Sequence, residues 1–146
     1  MDLILWRHAD AEDGYDDAKR CLTPKGRKQA ARMAHWLGQH LPPHYVVLAS
    51  PALRTQQTAA ALSARVATRP ELGISATPDS ILRAAGWPDA GHAIVVVGHQ
   101  PTLGLTAARL LAGTETELSV RKGSIWWFVH VERHTSLKAV LSPELL

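Results

Sequence analysis

Two histidines and two arginines stand in this sequence where phosphorus chemistry would use them. Arg7 and His8 follow the apolar run LILW, Arg54 lies in the stretch SPALR that follows YVVLA, and His99 follows AIVVVG and precedes Gln100 and Pro101. A neutral imidazole is a good nucleophile toward phosphorus. The planar guanidinium fork matches phosphoryl oxygens and keeps its charge. Phosphoryl transfer asks mainly for positioning and charge stabilisation, which these side chains can supply without a metal. Each residue alone reads as an ordinary core or surface residue. Their shared placement after short apolar runs makes them a candidate site.

That placement depends on the elements around them. The runs at 2–6, 45–49 and 93–97 are short and bounded by turn or polar residues, which predicts buried strands. Thr23 and Pro24 offer an N-cap and a first-turn proline to GRKQAARMAHWLGQHL, whose apolar residues recur at helical spacing up to Pro42-Pro43. SPALRTQQTAAALSARV, residues 50–66, predicts a second helix with Ser50 as cap and Pro51 at its first position. PTLGLTAARLLAG predicts a third, from Pro101 to near Gly113. Strands alternating with helices imply an α/β fold, a mostly parallel sheet flanked by helices. SIWWFVHVE and SLKAVLS, separated by RHT, predict a C-terminal hairpin closing the sheet, with Trp126, Trp127 and Phe128 in the core. Residues 66–92 are irregular, with one short helix starting at Thr77-Pro78-Asp79 and stopping near Gly86; Trp87 beyond it is assigned to packing. Ligands of open α/β sheets bind beyond the carboxyl ends of the strands, so all four residues are expected at one end of one sheet. At 146 residues, with no repeat or low-complexity tract, the chain is expected to be a single domain over 1–146.

The blocks RHADAE at 7–12, RCLTPKGRKQA at 20–30, SPALRTQQTA at 50–59 and VVVGHQPTLG at 95–104 resemble, in order and spacing, the histidine phosphatase superfamily. That superfamily is also called phosphoglycerate mutase-like, and the match is closest to its compact bacterial SixA-like phosphohistidine phosphatases. The resemblance implies a phosphoglycerate mutase-like fold and metal-independent hydrolysis, with His8 as the nucleophile that becomes phosphorylated. It implies that Arg7, Arg54 and His99 hold the phosphoryl oxygens and that Arg20 is a further substrate-binding arginine. Ala9 stands where the wider superfamily usually has glycine. No cofactor is implied. Larger members carry a general acid in an insertion after the second helix. Here the 66–92 segment is short, and the candidate acids are Asp10, Glu12, Glu71 and Asp79. An imidazole leaving group needs such an acid less than an alkoxide does, and a short segment leaves the site open to a protein surface. The expected substrate is therefore phosphohistidine on a protein, such as a signalling phosphotransfer domain. The alternatives are a small phosphorylated molecule and a non-catalytic phosphate-binding module.

Other readings are weaker. CLTPKGR, from Cys21 to Arg27, fits the C-x5-R spacing of cysteine-dependent phosphatases. With 11 arginines in the chain, chance meets that spacing roughly one time in 13. The polar stretch DGYDDAKR precedes Cys21 where a nucleophilic thiolate needs a strand leading to a helix N-terminus. One cysteine excludes an intramolecular disulfide framework, and the eight histidines show no repeated metal spacing, so no metal is assigned. The formal charge is +3 and the basic residues are dispersed without interleaved aromatics, which argues against nucleic acid as the main partner. No stretch reads as a signal peptide or a membrane span, so the expected location is cytoplasmic and no membrane is involved.

Overall fold

The apolar run that opens the chain is buried on both sides, which is why it does not alternate with polar residues. In the computed structural model, which describes residues 1–146, it forms β1 (Asp2–Arg7), with Leu3 and Leu5 in one core layer and Ile4 and Trp6 in the other. The remaining elements are α1 (Pro24–His40), β2 (Tyr45–Ala49), α2 (Leu53–Ala60), β3 (Val66–Thr68), α3 (Pro78–Ala85), β4 (Ala93–Gly98), α4 (Thr102–Ala112), β5 (Ile125–Val131) and β6 (His134–Leu141). The six strands form one sheet in the order β3-β2-β4-β1-β5-β6. The pairs β3–β2, β2–β4 and β4–β1 are parallel; β1–β5 and β5–β6 are antiparallel.

Helices cover both faces. Met33, Ala34 and Leu37 of α1 and Ala59 of α2 pack with Val95 and Val97, while Ile81 and Ala85 of α3 and Leu103 and Ala107 of α4 pack with Ile94 and Val96. Fully burying a side chain such as Met33 or Leu37 stabilises the fold by about 1.5–3 kcal/mol. The hairpin closes the antiparallel edge, with Trp127 and Phe128 fully in the core and Trp126 half-buried. Both buried indoles find acceptors: Trp6 donates to the Gly123 carbonyl at 3.1 Å and Trp127 to Asp2 at 2.7 Å. No helix is long and apolar enough to cross a membrane.

Three local expectations are corrected. The second helix begins at Leu53, because the Ser50 hydroxyl is engaged with His99 and with the Ala52 N–H. It ends at Ala60, since Val66–Thr68 can pair with β2 as an edge strand. The hairpin turns on Glu132 and Arg133, both at positive φ (50° and 68°), the conformation of a two-residue turn whose twist suits the strands.

Thr23 caps α1 by accepting from the Gly26 N–H at 2.9 Å, and this first turn lies against the loop that leaves β1. A Cβ on Gly26 would stand 2.0 Å from the Asp10 carbonyl oxygen. Gly26→Ala should therefore destabilise by about 2–3 kcal/mol, although alanine favours helix by about 1 kcal/mol. Urea unfolding measures this; an unchanged or raised midpoint would show that the contact can relax.

Candidate active site

Strand register brings the histidines together. Arg7 is paired with Gly98, so the His8 N–H donates to the Gly98 carbonyl at 3.1 Å and His8 and His99 emerge abreast. On the other side of β4, the Ser50 N–H donates to the Val97 carbonyl at 3.2 Å. The two imidazole centroids are 5.5 Å apart, and the rings' residues are only 6% and 5% exposed. Arg54, in the first turn of α2 and 4% exposed, places Nη2 3.3 Å from His99 Nδ1.

These contacts fix the tautomers. A carbonyl only accepts, so His8 Nδ1, 2.8 Å from the Ala9 carbonyl, carries the proton and Nε2 keeps its lone pair. A guanidinium only donates, so His99 Nδ1 accepts from Arg54 and Nε2–H donates to Ser50 Oγ at 2.8 Å. Burial holds the His8 pKa down to about 4, helped by the Arg54, Arg7 and Arg20 charges and opposed by the Ala9 hydrogen bond. Burial followed by the Arg54 charge takes His99 to about 3. Both rings are neutral at pH 7.

Asp17, an acid that sequence reasoning missed, organises the arginines. It sits in a short 3-10 turn, Asp17–Lys19. Its carbonyl accepts from Arg54 Nη1 at 2.8 Å and its Oδ2 from Arg54 Nη2 at 3.1 Å. Its Oδ1 accepts from Arg20 Nη1 at 3.1 Å. Arg20 also donates through Nε to the Glu12 carbonyl at 2.8 Å, so it stands one carboxylate away from Arg54 and braces the loop. Nothing in DGYDDAKR sets Asp17 apart from its neighbouring acids. Only the fold of this loop against the start of α2 does.

Arg7 is engaged differently. Its Nη1 donates to the Val120 carbonyl at 2.9 Å, and it lines a groove of about 710 Å³ that His8, Arg54 and His99 do not line. That groove thus lies beside the histidine pair, not over it. Arg7 Nε and Arg54 Nε are buried donors that no protein acceptor reaches, and a phosphoryl oxygen could satisfy such donors.

Polar residues inside the sequence blocks lock this geometry. Thr58 Oγ1 accepts from the Ala9 N–H at 3.0 Å, Gln57 from the Leu22 N–H at 2.8 Å, and Gln29 from the Asp10 N–H at 2.9 Å. Gln100 accepts from the Gly104 N–H and donates to the Leu118 carbonyl, both at 2.8 Å. A Cβ on Gly104 would stand 1.7 Å from that same carbonyl. Gln100 and Gly104 therefore set the approach of the segment that offers Val120 to Arg7. Ala9 in place of glycine is accommodated because its methyl group is buried against Leu22 and Ala30.

Residues 3–75 match the model of the histidine phosphatase superfamily, branch 1. An uncharacterised Picosynechococcus protein is 36% identical over 86% of this chain and 82% of its own. The chain belongs to the histidine phosphatase superfamily. A Nakamurella multipartitia structure, provisionally assigned as phosphohistidine phosphatase SixA, is 32% identical, with a TM-score of 0.79 over 97% of this chain and 95% of that one. The protein histidine phosphatase SixA solved with tungstate is 26% identical, with a TM-score of 0.81 over 99% of both chains. Family membership supports phosphatase activity on a phosphorylated substrate.

Of the candidate acids, Asp10 and Asp79 are engaged, as is Asp17, whereas the Glu12 and Glu71 side chains have no hydrogen-bond or ion-pair partner. Asp10 accepts from Thr23 Oγ1 at 2.7 Å and Lys122 at 3.1 Å, and the Thr23 bond leads in holding its pKa below the usual range. For Asp17, burial raises the pKa, but the hydrogen bonds from Arg20 and Arg54 win and lower it. Asp79 is paired with Arg109 on α4.

The depressed histidine pKa values have a stability consequence. Between pH 6.5 and about 4 the unfolded chain takes up protons that native His8 and His99 refuse, so native stability falls as pH falls. Each histidine contributes a slope of about 1.4 kcal/mol per pH unit across that window. From pH 6.5 to 5 the loss should reach about 2–4 kcal/mol by urea unfolding. Saturating inorganic phosphate should reduce it, since a bound anion favours protonated rings. A flat profile in that interval would refute the neutral buried pair, and no effect of phosphate would show that the anion does not bind against these rings.

Proposed function

We propose that this member of the superfamily is a metal-independent phosphohistidine phosphatase acting through His8. The observation that carries the mechanism is the neutral His8 ring, with Nδ1–H bound to the Ala9 carbonyl and the Nε2 lone pair free. In the first step Nε2 bonds to phosphorus while the substrate's P–N bond breaks, its electron pair going to the departing imidazole nitrogen. That imidazole, protonated on its other nitrogen by solvent before the attack, leaves neutral. In the second step water attacks phosphorus, the N–P electron pair returns to Nε2, His8 leaves neutral with its Nδ1–H still on Ala9, and both water protons leave with the product as dihydrogen phosphate. Arg54 and Arg7 balance the equatorial oxygen charge, and His99 donates to a phosphoryl oxygen once Arg54 turns from its Nδ1 and the bound dianion draws a proton from solvent onto that nitrogen.

Phosphohistidine is favoured over a phosphoester because Asp17 and Asp10, the two acids bonded into the site, are held ionised by their partners and have no proton to give an alkoxide. The test measures kcat/KM for a phosphohistidine peptide and for small alkyl phosphomonoesters, with chelator present. Preference for the peptide by about 100-fold or more, the range of general-acid assistance, is expected. Equal or better turnover of alkyl phosphates would move the assignment to a small-molecule phosphomonoesterase. Inertness toward every substrate combined with phosphate binding would leave a binding module.

A further inference from the structure

The groove beside the histidines has an unusual lining for its size. Its walls are the N-terminal half of α1 and the 119–122 segment, with Arg7 between them. Six cations face it: Arg7, Lys25, Lys28, Arg32, Arg121 and Lys122. Lys25, Lys28 and Arg32 fall at i, i+3 and i+7 of α1 and so share one face of that helix. Only two acids line the same space. Asp10 is paired with Lys122 at 3.1 Å and Glu144 with Arg121 at 3.3 Å. No ion pair of the fold uses Lys25, Lys28 or Arg32. Exposed like charges held this close repel one another, so the groove is complementary to an anion longer than one phosphoryl group.

We propose that this groove docks an acidic stretch of the substrate protein while the phosphorylated histidine next to that stretch enters the site at His8; the proposal rests on the phosphohistidine reading. Three observations favour a polypeptide carboxylate over other polyanions. Asp10 and Glu144 already show which group the cations of the 119–122 wall take, a side-chain carboxylate each, and leave the α1 cations without one. No aromatic side chain lines it on which a nucleobase could stack. Apart from Pro143, no apolar side chain lines it that could enter a bilayer beside its headgroups. Arg7 joins the groove to the chemistry, because it lines the groove and is the residue immediately before His8. Docking there adds affinity and on-rate without touching the reacting atoms.

The test uses the full chain and the double variant Lys25→Glu/Lys28→Glu, with Arg32→Glu as an independent second variant. All three side chains are exposed, and thermal melting checks that the variants fold. A fluorescein-labelled peptide of six Asp/Glu residues should bind wild type in a salt-sensitive manner and bind the double variant about tenfold or more weakly. A phosphohistidine peptide with acidic flanks should show kcat/KM about tenfold above one with Gly/Ser flanks, and the ratio should fall to near one in the double variant. Turnover of p-nitrophenyl phosphate should stay within about twofold of wild type, since neither lysine belongs to the site. A flank ratio that is the same in wild type and variant overturns the docking proposal and leaves the phosphohistidine reading intact. Acidic-peptide binding that depends on Lys25 and Lys28, without turnover of either phosphohistidine peptide, supports the docking surface and sinks the phosphohistidine reading. Tighter binding of an oligonucleotide of equal charge, or of phosphatidylserine vesicles, overturns the assignment of the groove to acidic polypeptide.

Discussion

His8→Ala is expected to lower kcat by about four orders of magnitude or more and to leave no phosphorylated protein after acid-free quenching. The reason is covalent. Without the Nε2 lone pair there is no acceptor for the phosphoryl group, and water must attack a substrate that Arg54 and His99 can only orient. The variant should still fold. His8 is neutral, and its removal leaves one buried carbonyl, Ala9, without its partner, at a cost of about 1–3 kcal/mol. Because a residue titrating at about 4 is gone, the variant should also lose less stability between pH 6.5 and 5 than wild type does. Rapid-quench labelling with a radioactive phosphohistidine peptide reads the first effect directly. Label on the protein in His8→Ala would place the nucleophile elsewhere.

Arg54→Lys is expected to lower kcat/KM by about 10²–10³-fold with little loss of expression or folding, the range for removing preorganised charge donors from a reaction centre. A conservative charge does not suffice here. The guanidinium simultaneously meets the Asp17 carbonyl, the Asp17 carboxylate and His99 Nδ1, and a lysine ammonium cannot span those directions. The loss should appear in kcat at least as strongly as in KM, because Arg54 balances charge that grows toward the transition state. A single-turnover experiment with the phosphohistidine peptide separates the two. If lysine restores kcat to within a few-fold of wild type, Arg54 serves only as a charge that helps the substrate to bind.

Much of this is legible in the unfolded chain. The three apolar runs can only be buried strands, and a run buried on both faces implies helices on both sides of a parallel sheet. The residues just after each run must then lie at one end of that sheet, so Arg7, His8, Arg54 and His99 can be grouped without coordinates. Ser50 resists such reading because its local sequence, Ser-Pro before an alanine-rich stretch, is also a good helix start, while its real partner lies 49 residues away at His99. Val66–Thr68 merges with the preceding helical stretch because three residues carry no period of their own and become a strand only by pairing with β2.

The sequence by itself determined the fold class, the family and the composition of the site, because those depend on hydrophobic periodicity and on motifs a few residues long. The tertiary structure decided how each charge is used. It gave Asp17 its hold on Arg54 and Arg20, and set the Nδ1–H tautomer of His8. It turned Arg7 and one face of α1 into a continuous basic groove. Hydrogen-bond direction and burial are properties of distances between elements far apart in the chain, and no local pattern of residue types encodes them.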